Sequence, residues 1–488
     1  RPISPGAHSM LGGQRTILGI AAASASGRRS PDTIVFPNDF KRGGTLKVAV
    51  VIITLGMAAL FGMGLINNAE VILPLSLGVF VLTFVTVVAA RSVATGPEAK
   101  VVEAIVIWAI LLRFSALLAI HFGLSPYFFA PDAIFYEDVG RQLAMSWTGT
   151  ILPPRQAAGL LPTYFDFNAI LYLALGHQGL AAAVINMFFG VWTVLLTYLT
   201  ARDLLGLRYA KWAALITASF PSLVLWSVLN IRDAMATFVV TLIVFLGVRL
   251  LRKVSLPQLV LLIASCVALQ ALRDYMAFLV AAGLMLGVVA ATGRQRLLPT
   301  VVLGVTATVF VAVLADQLGL FQGSETVDTT LQSIGRMRTG LQANAGSSYG
   351  GGADTGTIGE ALRFLPLGIA FLLFAPFPWR IESTLQMAAM PETLLWYPLF
   401  VFSLAGVRRV AAGRTREWLV PACILLVVVS SYALVEGNFG TAYRHRAQIM
   451  PIFFIFASVG VDAAVTWVTR LVSRGKRQRT RFAGSQRR

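Results

Sequence analysis

The chain has 488 residues, of which 57% are hydrophobic and 13% are charged, and its formal net charge is +18. Soluble domains carry about 25% charged residues, so this composition excludes an ordinary soluble protein and predicts an all-α polytopic membrane protein. The basic residues concentrate in short loops and in the C-terminal tail, as in cytoplasmic segments that face anionic lipid head groups. The charge therefore predicts contact with membrane lipids and no nucleic-acid partner.

Apolar runs long enough to span a bilayer follow one another along most of the chain, and they predict about 12 transmembrane helices. They lie at about 48–66, 71–90, 102–121, 179–200, 211–229, 234–251, 256–272, 275–292, 297–316, 393–407, 418–435 and 447–468. Cys266 and Cys423 each fall inside such a run, which predicts small core residues rather than a disulfide or a metal site.

Lysine and arginine counts place the C-terminal tail in the cytoplasm and divide the chain into parts. The predicted parts are a basic cytoplasmic arm (1–45), an N-terminal helix pair (46–100), a transmembrane core (101–316) with an outer loop (122–178), a flexible outer loop (317–360), a C-terminal transmembrane part (361–470) and a basic cytoplasmic tail (471–488). The stretch ANAGSSYGGGADTG at 343–356 indicates either a flexible loop or a mobile lid over a cavity.

The segment 361–379 is apolar enough to span, but a full crossing would put the basic loop at 408–417 on the outer side. Pro366, Pro376 and Pro378 interrupt helical hydrogen bonding in this segment. We therefore predict a re-entrant or surface-lying segment that returns to the outer face. The alternative is that one earlier helix is miscounted.

The outer loop begins with an acidic, aromatic stretch, FFAPDAIFYEDVGRQLA, at 128–144. Pro131 is suited to the start of a helix, and the apolar positions that follow recur at steps of three and four residues. This spacing indicates a short amphipathic helix that lies in the membrane interface. The stretch PTYFDFNAILYLALG at 162–176 repeats the pattern, so we expect two juxtamembrane helices on the outer face.

Three features in order resemble a known family: Asp132 near the start of the outer loop, the run at 185–240 that contains FPSLVLWSVLNIRDAMATFVV, and YRHRAQIMPIFFIFASVG at 443–460. They resemble the GT-C superfamily of polyprenyl-phosphate-dependent membrane glycosyltransferases, of the protein O-mannosyltransferase and aminoarabinose transferase type. The resemblance covers roughly 125–290, with an echo at 443–460. It implies a catalytic acid at the position of Asp132, although Ala133 follows where members often have a second acid.

A sugar on a lipid phosphate already carries an activated leaving group. Its transfer needs a base for the acceptor hydroxyl and cations for the departing phosphate. The candidate catalytic acids in the outer loop are Asp132, Glu137 and Asp138. For Asp132 the alternative is a helix N-cap, and for Glu137 and Asp138 it is a solvated helix face.

Arginine is the residue expected at the phosphate, because its planar fork binds phosphate oxygens in pairs. The candidate donor-binding residues are Arg232, Arg273, Tyr443, Arg444, His445 and Arg446. Arg232 and Arg273 stand at helix mouths, where a local ion pair or a snorkelling side chain is the alternative. Arg113 lies within an apolar helix, which marks either a functional residue or one paired inside the bundle.

The predicted function is an inverting GT-C-type transfer of a sugar from a polyprenyl-phosphate donor to a glycan, lipid or protein acceptor. The predicted place is the outer face of a bacterial inner membrane. One alternative is a polysaccharide polymerase or ligase that acts on lipid-linked glycans. Another is a transporter or lipid flippase, which would predict paired inverted repeats. No cofactor is predicted with certainty, and Mg²⁺ or Mn²⁺ held by carboxylates stays open.

Overall fold

The computed structural model describes residues 69–154, 163–176, 179–292, 335–336, 338–340, 357–413 and 415–485. These residues belong to one compact unit, Val48–Arg488, and a separate unit, Arg1–Lys47, lies outside the described ranges. Within the described ranges the chain is 86% helical and contains no strand, so the all-α prediction is confirmed there.

The described helices carry labels in chain order. They are α1 (Ala69–Ser92), α2 (Gly96–Leu118, continued by a π-helical turn, Ala119–Gly123), α3 (Pro126–Phe129), α4 (Ala133–Trp147), α5 (Tyr164–Leu175), α6 (Gly179–Leu205), α7 (Leu207–Ser219), α8 (Pro221–Ser227), α9 (Asp233–Arg252), α10 (Leu256–Leu272), α11 (Asp274–Thr292), α12 (Ile358–Phe374), α13 (Thr384–Ala411), α14 (Leu419–Val435) and α15 (Phe439–Ser485).

Six helical stretches in the described ranges are long and apolar enough to cross a membrane. They are Gly96–Gly123, Gly179–Leu205, Asp233–Arg252, Tyr275–Thr292, Thr384–Ala411 and Phe439–Ser473. Ser76–Ser92, Tyr164–Leu175, Leu256–Leu272 and Leu419–Val435 are shorter apolar helices. The predicted count of 12 spans is not confirmed, and the predicted spans 48–66 and 297–316 lie outside the described residues.

One predicted span, 211–229, is two helices in the structure, because Pro221 interrupts it. Proline lacks the N–H that a continuous helix requires, so carbonyls at the end of α7 need other donors. Arg113, fully buried in α2, donates Nη1 to the carbonyl of Ala218 at 2.8 Å and Nη2 to that of Thr217 at 3.4 Å. Arg113 is therefore paired inside the bundle, which is one of the two interpretations of its sequence position.

The segment predicted at 361–379 begins as α12, which contains Pro366 and ends at Phe374. A cis Ala375–Pro376 bond follows in the connection to α13. The re-entrant path of this segment stays a prediction. The glycine-rich stretch at 343–356 and the arm at 1–45 lie outside the described residues.

The two expected juxtamembrane helices are α4 and α5, and they pack directly on each other. A Cβ at Gly140 of α4 would lie 2.6 Å from Cβ of Asn168 in α5, so only glycine permits this approach. At the start of α5, Thr163 and Asp166 form a reciprocal capping box. Asp132, immediately before α4, lies next to the start of α9.

Close backbone contacts hold the longer helices together. Among the six apolar stretches, α9 is the most enclosed, with 78% of its apolar window buried. Where α11 crosses α14, a Cβ at Gly283 would lie 2.6 Å from Cα of Ile424. Small residues at such crossings are the usual means of helix association in membranes. These contacts fix the positions of the helix ends that form the site.

Candidate functional site

A cavity of about 580 Å³ lies where the starts of α4, α9, α11 and α15 meet the end of α14. Its lining residues are Asp132, Tyr136, Arg232, Arg273, Tyr275, Phe278, Leu279, Ser431, Tyr432, Leu434, Val435, Glu436, Thr441, Arg444 and His445. Part of the lining is apolar side chains of α11 and α14, and the remainder is polar or charged: arginines, carboxylates, tyrosines, Ser431, Thr441 and His445. Five residues that the sequence nominated, Asp132, Arg232, Arg273, Arg444 and His445, come together here.

Asp233, the first residue of α9, is the shared hydrogen-bond acceptor of two arginines that line the cavity. Its side chain is buried, and its Oδ1 accepts hydrogen bonds from Arg273 Nη2 and Gln448 Nε2, each at 2.7 Å. Its Oδ2 accepts from Arg444 Nε at 2.8 Å and Arg444 Nη2 at 2.6 Å. A carboxylate that accepts four such bonds holds both guanidinium groups in fixed orientations, and Asp132 supplies a second negative charge next to Arg444. Sequence reasoning did not assign Asp233 or Gln448 to the site.

Asp132 does not cap α4, although it stands at the N-cap position. Its backbone is already helical (φ −69°, ψ −12°), and its side chain makes no capping hydrogen bond in the described part of the chain. Instead its Oδ2 accepts from Arg444 Nη1 at 2.8 Å. The Asp132 side chain is 40% exposed, so this carboxylate lies at the cavity edge with one oxygen engaged by Arg444.

His445 links a carboxylate to an arginine on the cavity wall. Its Nδ1 pairs with Glu436 Oε1, its Nε2 lies 2.8 Å from Arg273 Nη1, and its ring stacks on Tyr432 with centroids 4.8 Å apart. Glu436 also accepts from Thr441 Oγ1 at 2.6 Å. Burial acts to raise the pKa of Glu436, but the partners His445 and Thr441 outweigh burial and hold that pKa below its ordinary value. Glu436 is a second residue that sequence reasoning missed.

Arg232 and Arg273 keep donors that the protein does not use. Arg232 donates Nη1 to the carbonyl of Leu272 at 2.8 Å and makes no ion pair with any described carboxylate. Within the described residues, the Nε atoms of Arg232 and Arg273 are buried without a hydrogen-bond acceptor. Burial acts to lower the pKa of Arg273, but Asp233 raises it well above its ordinary value, so this guanidinium stays charged. Because these two Nε atoms are buried, an anion in the cavity would meet the positive charge of the guanidinium groups, and hydrogen bonds from Arg273 would replace its present contacts.

Arg446 and Tyr443 do not line the cavity. Arg446 is buried and donates Nη1 to the carbonyls of Leu373 and Ala375, at 2.8 and 2.9 Å. Tyr443 donates its hydroxyl to Glu392 Oε2 at 2.8 Å. Residues two positions apart on a helix do not share a face, so Arg444 and Arg446 cannot approach one ligand together. Arg446 and Tyr443 instead tie α15 to the end of α12 and to α13.

Glu137 and Asp138 also lie outside the cavity lining. Glu137 accepts a hydrogen bond from the Tyr127 hydroxyl at 2.9 Å. Burial, and then Glu137, raises the pKa of Tyr127 to about 12, so that hydroxyl stays protonated as a donor. Asp138 is half exposed and lies 3.5 Å from Arg141, one helical turn away. This surrounding matches the solvated-face interpretation of Asp138.

The cavity offers more cationic donors than metal ligands. No group of three His, Cys, Asp or Glu side chains that could hold a metal ion occurs among the residues that the structure describes. The lining carboxylates, Asp132 and Glu436, already bind Arg444 and His445. The binding of Mg²⁺ or Mn²⁺ here stays a prediction, whereas three lining arginines suit an anion.

Comparison of the chain with models of known protein families finds no family that matches, and comparison with curated proteins finds no similar sequence.

Proposed function

We propose that this chain is a membrane glycosyltransferase that moves a sugar from a polyprenyl-phosphate donor to an acceptor at the outer face of a bacterial inner membrane. One observation carries the proposal: a single cavity joins an apolar wall to a cluster of arginines. A lipid-linked sugar has the same two chemistries side by side, since an apolar chain ends in a phosphate diester. The acceptor is a glycan, a lipid or a protein.

The donor phosphate is assigned to Arg232 and Arg273. Both line the cavity, and both have an Nε that lacks an acceptor within the described chain. Arg444 lines the cavity as well, but Asp233 and Asp132 engage three of its nitrogens. Arg444 therefore contributes its positive charge and positions Asp132, while Arg232 and Arg273 supply hydrogen bonds to phosphate oxygens.

The polyprenyl chain is assigned to the apolar wall. Phe278 and Leu279 of α11 and Leu434 and Val435 of α14 line one part of the same cavity. Because the polyprenyl chain comes from a bilayer that is itself apolar, this wall lets the chain lie beside the phosphate without exposure to water. The arginines then hold the phosphate, and the sugar lies towards Asp132 and Tyr136.

The contacts between the arginines and the departing phosphate can be tested by measuring donor binding and sugar transfer with the chain in nanodiscs. Arg232→Gln removes a charged donor, and the loss of such a hydrogen bond, about 1.5–3 kcal/mol, lowers donor affinity by about 10- to 100-fold. Arg380→Gln is the matched control. Arg380 is about half exposed, pairs with Glu382 at 2.7 Å and does not line the cavity.

The expected result is transfer of a labelled sugar from polyprenyl phosphate by the wild-type chain and by Arg380→Gln, with a large loss in Arg232→Gln. Equal donor affinity in Arg232→Gln and wild type would move the phosphate elsewhere. Movement of the intact donor across a vesicle bilayer, without a glycosylated product, would contradict a transferase and support a flippase.

A further inference from the structure

The Glu436–His445 pair has the geometry of an oriented base. Arginine has no hydrogen-bond acceptor, so in the contact between Arg273 Nη1 and His445 Nε2 the arginine donates and Nε2 accepts. The imidazole proton therefore lies on Nδ1, where it is donated to Glu436 Oε1. A carboxylate that holds one ring nitrogen in this way fixes the tautomer and leaves the other nitrogen basic.

Asp132 is less well arranged for the same task. One of its oxygens accepts from Arg444, whose guanidinium also binds Asp233. A proton taken by Asp132 would replace a charge-assisted hydrogen bond with a weaker neutral one. His445 Nε2 also accepts from a guanidinium, Arg273, so it can take a proton only after that contact is released, and Glu436 then stabilises the imidazolium.

Arg273 connects the state of His445 to the donor phosphate. Its guanidinium is shared among Asp233, Tyr275 and His445, and its Nε has no acceptor in the described chain. A phosphate that accepts hydrogen bonds from Arg273 competes directly with His445 for Nη1. Binding of the donor would then release Nε2 at the moment when a base is needed.

We propose that His445, oriented by Glu436, accepts the proton of the acceptor hydroxyl, an inference that rests on the proposed function. The acceptor oxygen forms a bond to the anomeric carbon while the bond from that carbon to the phosphate oxygen breaks. The bonding electrons leave with polyprenyl phosphate, and the hydroxyl proton moves to Nε2. Glu436 is a positioning residue in this scheme, and Asp132 holds Arg444.

The charged and titratable groups that face His445 come from three neighbouring helix ends. These are Glu436 and Tyr432 at the end of α14, Arg273 and Tyr275 at the start of α11, and Asp233 at the start of α9. Because a base acts only in its unprotonated form, the transfer rate should depend on pH. Neutralising Glu436 should change this pH dependence, because an amide no longer stabilises the imidazolium that forms during transfer.

The experiment compares transfer rates over a range of pH together with donor affinity. His445→Gln keeps an oxygen that can accept from Arg273 but cannot act as a base, so we expect turnover to fall about 10²–10⁴-fold with donor affinity retained. Glu436→Gln should change the dependence of the transfer rate on pH, with donor affinity retained. His445→Ala should regain activity when imidazole is added. The matched control is His121→Gln, since His121 contacts the carbonyl of Val228 outside the cavity lining and glutamine can keep that contact.

Each result has a distinct meaning. Wild-type turnover and an unchanged pH profile in His445→Gln would overturn the proposal while the proposed function stands. Loss of donor affinity in step with turnover would also overturn it, because His445 would then bind the phosphate. Absence of sugar transfer by the wild-type chain, with donors of several sugars, would overturn the proposed function and this inference together.

Discussion

The contact between Asp132 and Arg444 bears on the predicted catalytic role of Asp132, which stays a prediction. Its carboxylate pairs with Arg444 at 2.8 Å and is 40% exposed. Partly exposed ion pairs contribute about 1 kcal/mol or less. We therefore expect Asp132→Asn to lower transfer only about fivefold, the factor that corresponds to 1 kcal/mol. Steady-state kinetics of Asp132→Asn and of the wild-type chain, with the same donor, measures this loss. A loss of 10²–10⁴-fold with normal donor binding would restore Asp132 as the base.

Asp233 is the residue on which the site's architecture depends. Asp233→Asn would leave the buried Arg273 and the nearly buried Arg444 without their shared counter-charge. Removing one partner of a buried pair costs about 3–5 kcal/mol, so we expect strong destabilisation and loss of donor binding. Thermal unfolding in detergent measures the change. The control is Asp138→Asn, because Asp138 is half exposed. Equal stability of the two variants would contradict the role of Asp233 as the shared partner of Arg273 and Arg444.

Several residues of the candidate site could be predicted from residue type and position. The buried carboxylates that pair with them could not be predicted. Arginines at the ends of apolar helices are conspicuous, which is why the sequence nominated Arg232, Arg273 and Arg444, and all three line the cavity. Asp233 and Glu436 were missed because their partners are distant in sequence: Asp233 meets Arg444 across 211 positions. Arg446 lies two positions after Arg444, so the sequence suggested the same role for both. In the helix the two side chains point in different directions, and only Arg444 lines the cavity.

At the scale of elements, the crossing of α11 and α14 gives a direct test of close packing. Gly283→Ala places a methyl group 2.6 Å from a backbone atom of Ile424, closer than such atoms approach. Overpacking of this kind costs about 1–3 kcal/mol, so we expect a lower melting temperature. Gly78→Ala in α1 is the control, because nothing lies within 4 Å of its added methyl. A melting temperature equal to that of the control would contradict so close a crossing of α11 and α14.

The sequence predicted where apolar helices lie better than it predicted whether a helix is interrupted. The apolar runs at 234–251 and 275–292 correspond closely to α9 and α11, because apolar length is a local property. The run at 211–229 also looked continuous, yet it breaks at Pro221 and depends on Arg113 of α2 for its carbonyls. Such a break is stable only where tertiary contacts replace the lost hydrogen bonds, which a local pattern does not reveal.

At the scale of the whole molecule, the distribution of charge predicts orientation. We expect an engineered cysteine at Ser347, which lies outside the described residues, to be labelled from outside intact cells, and one at Ser485 to be protected. Cys266 and Cys423 are buried and should contribute little background. Labelling of intact cells with a membrane-impermeant maleimide measures the accessibility of both cysteines. Labelling at Ser485 but not at Ser347 would invert the topology and place the cavity on the cytoplasmic side.

The proposed function depends above all on this cavity holding a lipid-linked sugar by its phosphate. The most direct measurement is a cryo-electron-microscopy map of the chain in nanodiscs with a non-transferable phosphonate analogue of a polyprenyl-phosphate sugar. We expect phosphorus density within hydrogen-bonding distance of Arg232 and Arg273, with the lipid chain along Phe278 and Leu434. An analogue bound at another surface, with this cavity unchanged, would contradict the proposal.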